Sequence, residues 1–300
     1  MPALVSTIIP VYDGERFLSE ALDSALAQTY PYNEIIVVDD GSTDSSGAIA
    51  DRYARLHPRA IRVIHQANRG TGAARNTAIE AAHGSYIAML DQDDIWLPSH
   101  LAEAIHVLER EPSIGLVHAN IQAFDSAVHP PPIRSWQPND DAFTKLLLRR
   151  GHISCLTVVF RRELVDAVGP FDPAFYRLGN DDRDMWLRIA KVAGVHYINS
   201  VHAHWRRHDN NQSSNYEKMR QGQLLLVERY AVGPYRSLRR EAIAAIEVET
   251  GYAQLHSRHG SRLDALASYT RALYRDPFLA EAWKGATRAL LLPRRGLDGE

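Results

Sequence analysis

The sequence predicts an α/β protein: a mainly parallel central sheet flanked by helices, followed by a helical C-terminal appendage. Three observations carry this. Over roughly the first hundred residues, short apolar and β-branched runs alternate with stretches whose apolar residues recur at helical spacing. Three of those runs lead at once into compact clusters, Pro10-Val11-Tyr12, Asp39-Asp40 and Asp91-Gln92-Asp93. From about Tyr216 onward only the helical period remains.

Val5-Ser6-Thr7-Ile8-Ile9 reads as a buried strand stopped by Pro10, and Asp13-Gly14 turns the chain into a helix with the stripe Leu18, Ala21, Leu22, Ala25, Leu26. Ile35-Ile36-Val37-Val38 is a second strand ending at Asp39-Asp40-Gly41, and Asp44 is placed to cap a helix starting near Ser45. Residues 61–64 give a third strand, 72–82 a third helix, and 86–90 a fourth strand that runs straight into Asp91-Gln92-Asp93-Asp94. In such sheets ligands gather beyond the carboxyl ends of the strands, so clusters far apart in sequence converge. After the helical stripe Leu101, Ala104, Ile105, Leu108, residues 116–121 and 156–160 read as further strands, with a loop through Pro130-Pro131-Pro132 to Asp141 between them. In the tail, Leu263, Leu266, Ala267, Leu273 form one stripe and Leu279, Ala282, Trp283, Ala286, Leu290 another, divided at Asp276-Pro277. The pair faintly resembles a tetratricopeptide repeat, but fewer than two repeats are visible and a plain helical appendage is expected.

The chain has 300 residues, enough for one large core with an accessory segment, and its 45% apolar and 23% charged residues are those of a folded globular protein. A formal charge of 34 − 36 = −2 argues against a dedicated nucleic-acid binder, which needs many cations to replace counterions. Residues 231–300 hold 11 Lys+Arg and 8 Asp+Glu, or +3, which leaves −5 for the rest and permits peripheral contact of the helical tail with an anionic membrane surface. The single cysteine, Cys155, forms no internal disulfide or thiolate zinc cluster and is read as a small core residue in a reducing compartment. The N-terminus lacks the basic start of a secretory signal, and no apolar segment approaches the ~20 residues that span a bilayer. The expected location is the cytoplasm, peripheral at the inner membrane face where the tail meets lipid; nothing in the sequence fixes an oligomeric state.

Asp91-Gln92-Asp93 sets two carboxylates at a strand end, where hard oxygen ligands suit Mg²⁺ or Mn²⁺ holding a diphosphate; the same triplet alone also reads as a solvated turn. Asp39 and Asp40 can accept hydrogen bonds from a base or ribose, and Asp40-Gly41 equally makes a turn before a helix. Residues 68–76 offer small residues for close backbone approach and Arg75 for an anionic or planar partner, but Arg75 stands where a dinucleotide fingerprint needs its third glycine. In residues 181–188 the acids precede a helix containing Trp186 and Leu187; they either serve that helix start or include a general base. His202 and His204 share a strand face without an assigned role, whereas His208, in the turn after Arg206-Arg207, is a candidate for a diphosphate or its metal.

Together, Pro10-Val11-Tyr12, Val38-Asp39-Asp40-Gly41-Ser42-Thr43-Asp44, residues 68–76 and Leu90-Asp91-Gln92-Asp93-Asp94 resemble glycosyltransferase family 2 in order and spacing. The likeness continues through Arg161-Arg162, Phe171-Asp172, residues 181–188 and Arg206-Arg207-His208, to about Ser214. It implies the GT-A fold over residues 1–215, with a nucleotide-sugar half (1–100), an acceptor half (101–215) reached under the proline-rich loop, and a helical extension from 216 to 300. It further implies inversion at the anomeric carbon. By that resemblance Pro10, Val11, Tyr12, Asp40 and Arg75 contact the nucleoside of the donor, with Asp39 and Gln92 beside them, and Asp91 helps hold the donor sugar and ribose. Asp93 is the principal ligand of Mn²⁺ or Mg²⁺, with Asp91 and His208 as further ligands. Asp182 matches the catalytic base, although Asp181 stands where glutamate is usual and leaves the choice between the two open. UDP is the expected nucleotide and a glycan or lipid-linked hydroxyl the expected acceptor. The Gln-x-x-Arg-Trp motif and membrane helices of processive synthases are not visible, so one sugar per encounter is expected. Two alternatives remain: a sugar-phosphate nucleotidyltransferase, which calls for a Gly-rich loop with lysine where this chain has Pro10-Val11-Tyr12, and a catalytically silent donor-binding scaffold, against which both sets of carboxylates argue.

Overall fold

The computed structural model describes residues 2–124, 141–176, 178–208, 215–256 and 260–291, and the chain gathers into two units: Met1–Leu146 with Arg150–Asp209, and Leu147–Arg149 with Asn210–Glu300. The expected proline-rich loop lies outside the described residues, apart from Asp141.

In the first unit the expected alternation is present as β1 (Val5–Val11), α1 (Leu18–Leu26), β2 (Asn33–Asp39), α2 (Ser46–Leu56), β3 (Ile61–His65), α3 (Thr71–Ala81) and β4 (Tyr86–Met89). Every residue of β1 and β4 is buried, as in parallel strands covered on both faces. α1 packs Leu18, Ala21, Leu22 and Ala25 into the same core as Val5, Ile9 and Val11. At the start of α2 the Asp44 carboxylate accepts from the Ser46 amide at 2.9 Å, satisfying one of the helix's free donors.

The unit continues through β5 (Ile95–Trp96), α4 (His100–Arg110), β6 (Ile114–Phe124), α5 (Ala142–Leu147), β7 (Val159–Arg161), α6 (Glu163–Val168), α7 (Asp181–Ile189) and β8 (Gly194–Arg206). The eight strands form one sheet in the order β3-β2-β1-β4-β7-β6-β8-β5. β3, β2, β1 and β4 run parallel; β7 is antiparallel to β4 and β6, β6 is parallel to β8, and β5 closes the edge antiparallel to β8. The strand expected at 156–160 begins only at Val159, because Cys155–Thr157 form a 3₁₀ turn. The buried Thr157 hydroxyl causes this: it engages both the amide and the carbonyl of Ala119 and donates to Ser154 O, all within 3.1–3.2 Å. β6 runs longer than expected because the 13-residue β8 pairs along it through several register shifts.

On β6, His118 is fully buried beside Tyr197, and neither ring nitrogen has a hydrogen-bond partner. Burial, with His152 and His196 nearby, pushes its pKa down to about 3. The unfolded chain protonates this imidazole at about pH 6.5. Its neutral-state stability is therefore complete above about 6.5 and is lost as pH falls toward 3, at about 1.4 kcal/mol per pH unit. We expect urea unfolding at pH 5 to give about 2 kcal/mol less stability from this group than at pH 7, with a flatter pH dependence in His118→Leu. An equally steep dependence in the variant would refute this assignment.

In the second unit α8 (Tyr216–Tyr230) is capped by Asn215, which accepts from the Lys218 amide at 3.1 Å, and α9 (Arg239–His256), α10 (Arg262–Arg275) and α11 (Ala280–Leu291) follow. Glu247 is buried in α9 between Arg220 at 2.6 Å and Arg271 at 2.9 Å. The expected apolar stripes coincide with the buried faces only in part: Ala282 is buried and Leu266 and Ala286 pack on the core of this unit. α10 buries Ala265, Ser268, Tyr269 and Ala272 while Leu263 is exposed, and α11 buries Ala282, Gly285 and Ala289 while Trp283 and Leu290 are exposed. The reason is the Tyr269 ring: a Cβ on Gly251 or Gly285 would lie 2.9 or 2.2 Å from it, so the helices meet through small residues and the large ones face outward. No described helix is long and apolar enough to cross a membrane.

Candidate active site

The site begins in the strand register. Val11, buried with Pro10 in β1, stands opposite Asp39, and the Asp40 amide donates to Val11 O at 2.8 Å. The β1–β4 ladder ends at Ile8 and Met89, and beyond it the Gln92 side chain acts as a substitute strand: Oε1 accepts from Tyr12 N at 2.9 Å and Nε2 donates to Tyr12 O at 3.0 Å. Gly14 leaves room for this amide, since a Cβ there would sit 2.3 Å from Gln92 Oε1. Gln92 is thus engaged by the chain itself, and the exposed side chain at this point is Tyr12.

Asp39 and Asp40 are both buried. Asp39 accepts from the Ser42 amide at 3.0 Å and pairs with His65 Nδ1 at 2.9 Å; burial alone would raise its pKa, but these bonds hold it below the usual carboxylate range. Asp40 accepts from Gln66 Nε2 at 2.6 Å and from the amides of Arg69 and Gly70 at 3.0 and 2.7 Å, tying the end of β2 to the loop before α3. Gly41 between them has φ +77°, and a side chain there would also press on Asn68 N at 2.9 Å.

Arg75 joins the two ends of the cluster. Buried in α3, it donates from Nη1 to Asp181 at 2.8 Å and from Nη2 to Asp91 at 3.0 Å. Burial opposes its charge, but the carboxylates of Asp181, Asp91 and Asp182 around it outweigh this and hold it protonated. Cys155, buried as expected of a small core residue, lies beside this group, its thiol pushed well up by burial. For Asp181 burial acts upward and Arg75 downward, and burial is the larger. Asn180, in the left-handed region at φ 67°, starts α7. Asp182, one residue beyond Asp181, is only half-buried, with its carboxylate on the Arg183 amide at 2.7 Å. Asn76 clamps the preceding segment to α3, exchanging bonds with the Phe171 backbone at 2.8 and 2.9 Å.

Asp93 lies 2.8 Å from His208 Nε2, and burial together with Asp91 raises its pKa. Asp94, also buried, accepts from the Arg206 amide at 2.8 Å. Arg206 fixes the acidic loop: Nε donates to Asp93 O at 3.0 Å, Nη2 pairs with Glu20 at 2.8 Å, and its guanidinium lies over Phe17 and Phe124 at 4.5 and 4.6 Å. Sequence reasoning assigns no role to Arg206 or Asn76, since nothing local marks their partners. His202 turns instead to His100 and Glu103, at 3.1 Å each, away from the acids. A groove of about 530 Å³ between α4 and β8, lined by Glu103, His106, His196 and Asn199 among others, shares no lining residue with the cluster.

Among the described residues no three His, Cys, Asp or Glu side chains form a metal site by themselves. Asp93 and His208 are paired and Asp91 is held by Arg75. Such a donor set fits Mn²⁺ or Mg²⁺, which commonly take one or two carboxylates and complete their shell with phosphate and water.

This sheet with its strand-end site is the GT-A glycosyltransferase fold. A mannosyltransferase from Pyrobaculum calidifontis, solved with GDP-Man and Mn²⁺, matches 97% of this chain and 81% of its own with a TM-score of 0.64 at 22% identity. TarS residues 1–349 of S. aureus, solved with UDP-GlcNAc, match 95% of this chain and 91% of their own with a TM-score of 0.60 at 17% identity. The chain belongs to glycosyl transferase family 2, whose profile matches residues 6–169. TuaG of Bacillus subtilis, a putative teichuronic acid biosynthesis glycosyltransferase, is 32% identical over 219 residues, 71% of this chain and 82% of that one. An uncharacterized glycosyltransferase of Nostoc sp. is 34% identical over 187 residues, or 59% of this chain. The match spans 56% of the Nostoc protein's length and 33% of that of an uncharacterized Rickettsia felis glycosyltransferase.

Proposed function

We propose that this protein moves a sugar from a nucleotide diphosphate sugar to an acceptor hydroxyl, with a divalent cation, inversion and one sugar per encounter. The observation that carries the reading is Arg75: one buried guanidinium holds both Asp91, at the end of the donor-side strands, and Asp181, in the helix turn that also bears the half-buried Asp182. A donor site and a base thereby belong to one cluster.

In this reading the exposed Tyr12 ring and the loops pinned by Asp39 and Asp40 form the nucleoside pocket. Asp93 and His208, with Asp91 beside them, would hold Mn²⁺ or Mg²⁺, which when bound would neutralise charge on the departing diphosphate. Asp182 takes the proton of the acceptor hydroxyl as its oxygen bonds to the anomeric carbon. The bond to the diphosphate oxygen breaks on the opposite face and the nucleoside diphosphate leaves, with no sugar attached to the protein. Asp181 is the weaker candidate for the base because its carboxylate is buried against Arg75. A UDP-sugar donor and a glycan or lipid-linked acceptor are favoured by the UDP-GlcNAc bound to TarS and by the pathway in TuaG's name.

Thermal shift with UDP, GDP and dTDP, each with and without Mn²⁺, tests the donor site. A nucleotide at about 100 times its Kd should stabilise the native state by about 2.7 kcal/mol, and Asp93→Asn should remove the part that depends on Mn²⁺. A melting temperature indifferent to every nucleoside diphosphate would sink the proposal.

A further inference from the structure

Among the described residues, Leu263, Tyr274, Phe278, Trp283, Leu290 and Leu291 are large apolar side chains exposed to solvent in or beside the last two helices, as many as in all the described chain before them. α11 accounts for four of the six together with the turn that precedes it. Its small residues Ala282, Gly285 and Ala289 are buried. Two outward rows remain, Trp283, Thr287, Leu290 and Lys284, Arg288, Leu291, each at i, i+4, i+7 spacing and so each continuous along the helix. Phe278 is 92% exposed, Leu291 77%, Leu290 65% and Trp283 57%. The Trp283 indole donates its only N–H to Pro277 O at 2.8 Å, so the ring is held against this turn and asks nothing polar of water.

The charges are sorted as well. Asp276 is engaged in the turn, accepting from the Phe278 amide at 3.1 Å, and Glu281 sits in the first turn of α11, where the helix dipole favours an acid. The rest of the helix carries Lys284 and Arg288 and no acid. An apolar row flanked by a basic row is the pattern of a helix that lies in the headgroup layer of a membrane. At 12 residues α11 is about 18 Å long, too short to span a hydrocarbon core of about 30 Å.

We propose that this face docks on an anionic lipid surface, with Phe278, Trp283, Leu290 and Leu291 entering the apolar boundary and Lys284 and Arg288 meeting the headgroups. Charge complementarity selects lipid over a second copy of the chain: two α11 faces related by a twofold axis would bring basic rows together. The inference does not rest on sugar transfer, since a chain with no transferase activity would bind vesicles all the same.

The test is co-sedimentation of the full chain with phosphatidylcholine vesicles, alone or with about 30% phosphatidylglycerol, at about 0.1 and 0.5 M salt. Binding should be at least about tenfold tighter with the anionic lipid and largely released at high salt. Each of Lys284→Glu and Arg288→Glu should weaken it by about fivefold or more. Phe278→Ser with Trp283→Ser should abolish it with at most a small fall in melting temperature, since Phe278 is 92% and Trp283 57% exposed and only the indole bond to Pro277 O is lost. Absence of vesicle binding, equal binding to neutral and anionic vesicles, or wild-type binding by these variants would overturn the proposal. So would reversible dimerisation in sedimentation equilibrium that Trp283→Ser abolishes, which would assign the face to a second copy.

Discussion

Replacing Asp182 by asparagine is expected to lower the rate of sugar transfer by about 10²–10⁴-fold, the usual contribution of a positioned general base. The substitution keeps the size of the side chain and an oxygen that can still accept from the Arg183 amide at 2.7 Å, so the first turn of α7 is left intact. It removes only the capacity to take a proton at that atom. The KM for the donor should stay within about twofold of wild type, because an interaction needed only as the proton moves lowers kcat and not ground-state binding. Asp181→Asn has a different signature: it strips a buried guanidinium of one of its two carboxylates, so stability and donor binding should suffer together. The measurement is kcat and KM from released nucleoside diphosphate, with melting temperatures alongside. Transfer by Asp182→Asn within about threefold of wild type would remove this residue from the base position, and a collapse confined to Asp181→Asn would move the role there.

The strand-end half of the candidate site is legible in the sequence because its signals are local. Each of β1, β2 and β4 is a short apolar run that stops at a residue with turn or cap chemistry, so the polar groups can be assigned to strand ends without knowing any contact. The partners of those groups are a different matter. Arg75 reads as a ligand for an anion, and its anions are Asp91 and, 106 positions away, Asp181. No local pattern encodes a pairing that exists only once α3 and α7 are packed. The same holds for Arg206, whose links to Asp93 and Asp94 span 113 and 112 residues. β8 is harder to see because half-buried and exposed positions interrupt its alternation, and β5 has only two residues. In the tail the period is right and the face only partly so: hydrophobicity points to leucines, of which Leu263 and Leu290 are exposed, while the packing is decided by the space that Gly251 and Gly285 leave for Tyr269. Period reports that a helix forms, but shape decides which side of it meets a neighbour.

Arg75→Met is expected to destabilise the first unit by about 3–5 kcal/mol, the usual cost of breaking a buried ion pair by removing one partner. Methionine fills much of the same volume and lacks only the charge and the donors, so the loss comes from the carboxylates left behind. Asp181 is buried and would face Asp182 and Asp91 with no cation among them. Half-buried Asp91 can turn to water, whereas Asp181 cannot without opening the start of α7. At about 2–4 °C per kcal/mol for a domain of this size the melting temperature should fall by about 6–20 °C. The decisive comparison is Arg75→Met combined with Asp181→Asn: if the penalty is that of an unpaired buried charge, neutralising the acid should restore much of the lost stability, a non-additivity of about 1–3 kcal/mol. Donor binding should not return, because Asp91 would remain unanchored. A double variant as unstable as the sum of the singles would show that Arg75 stabilises through other contacts of its side chain, such as the guanidinium over the Phe171 ring at 5.6 Å, and not through its ion pairs. Recovery of stability without recovery of nucleotide binding would separate the two duties of this one side chain, holding the fold together and setting the donor carboxylate in place.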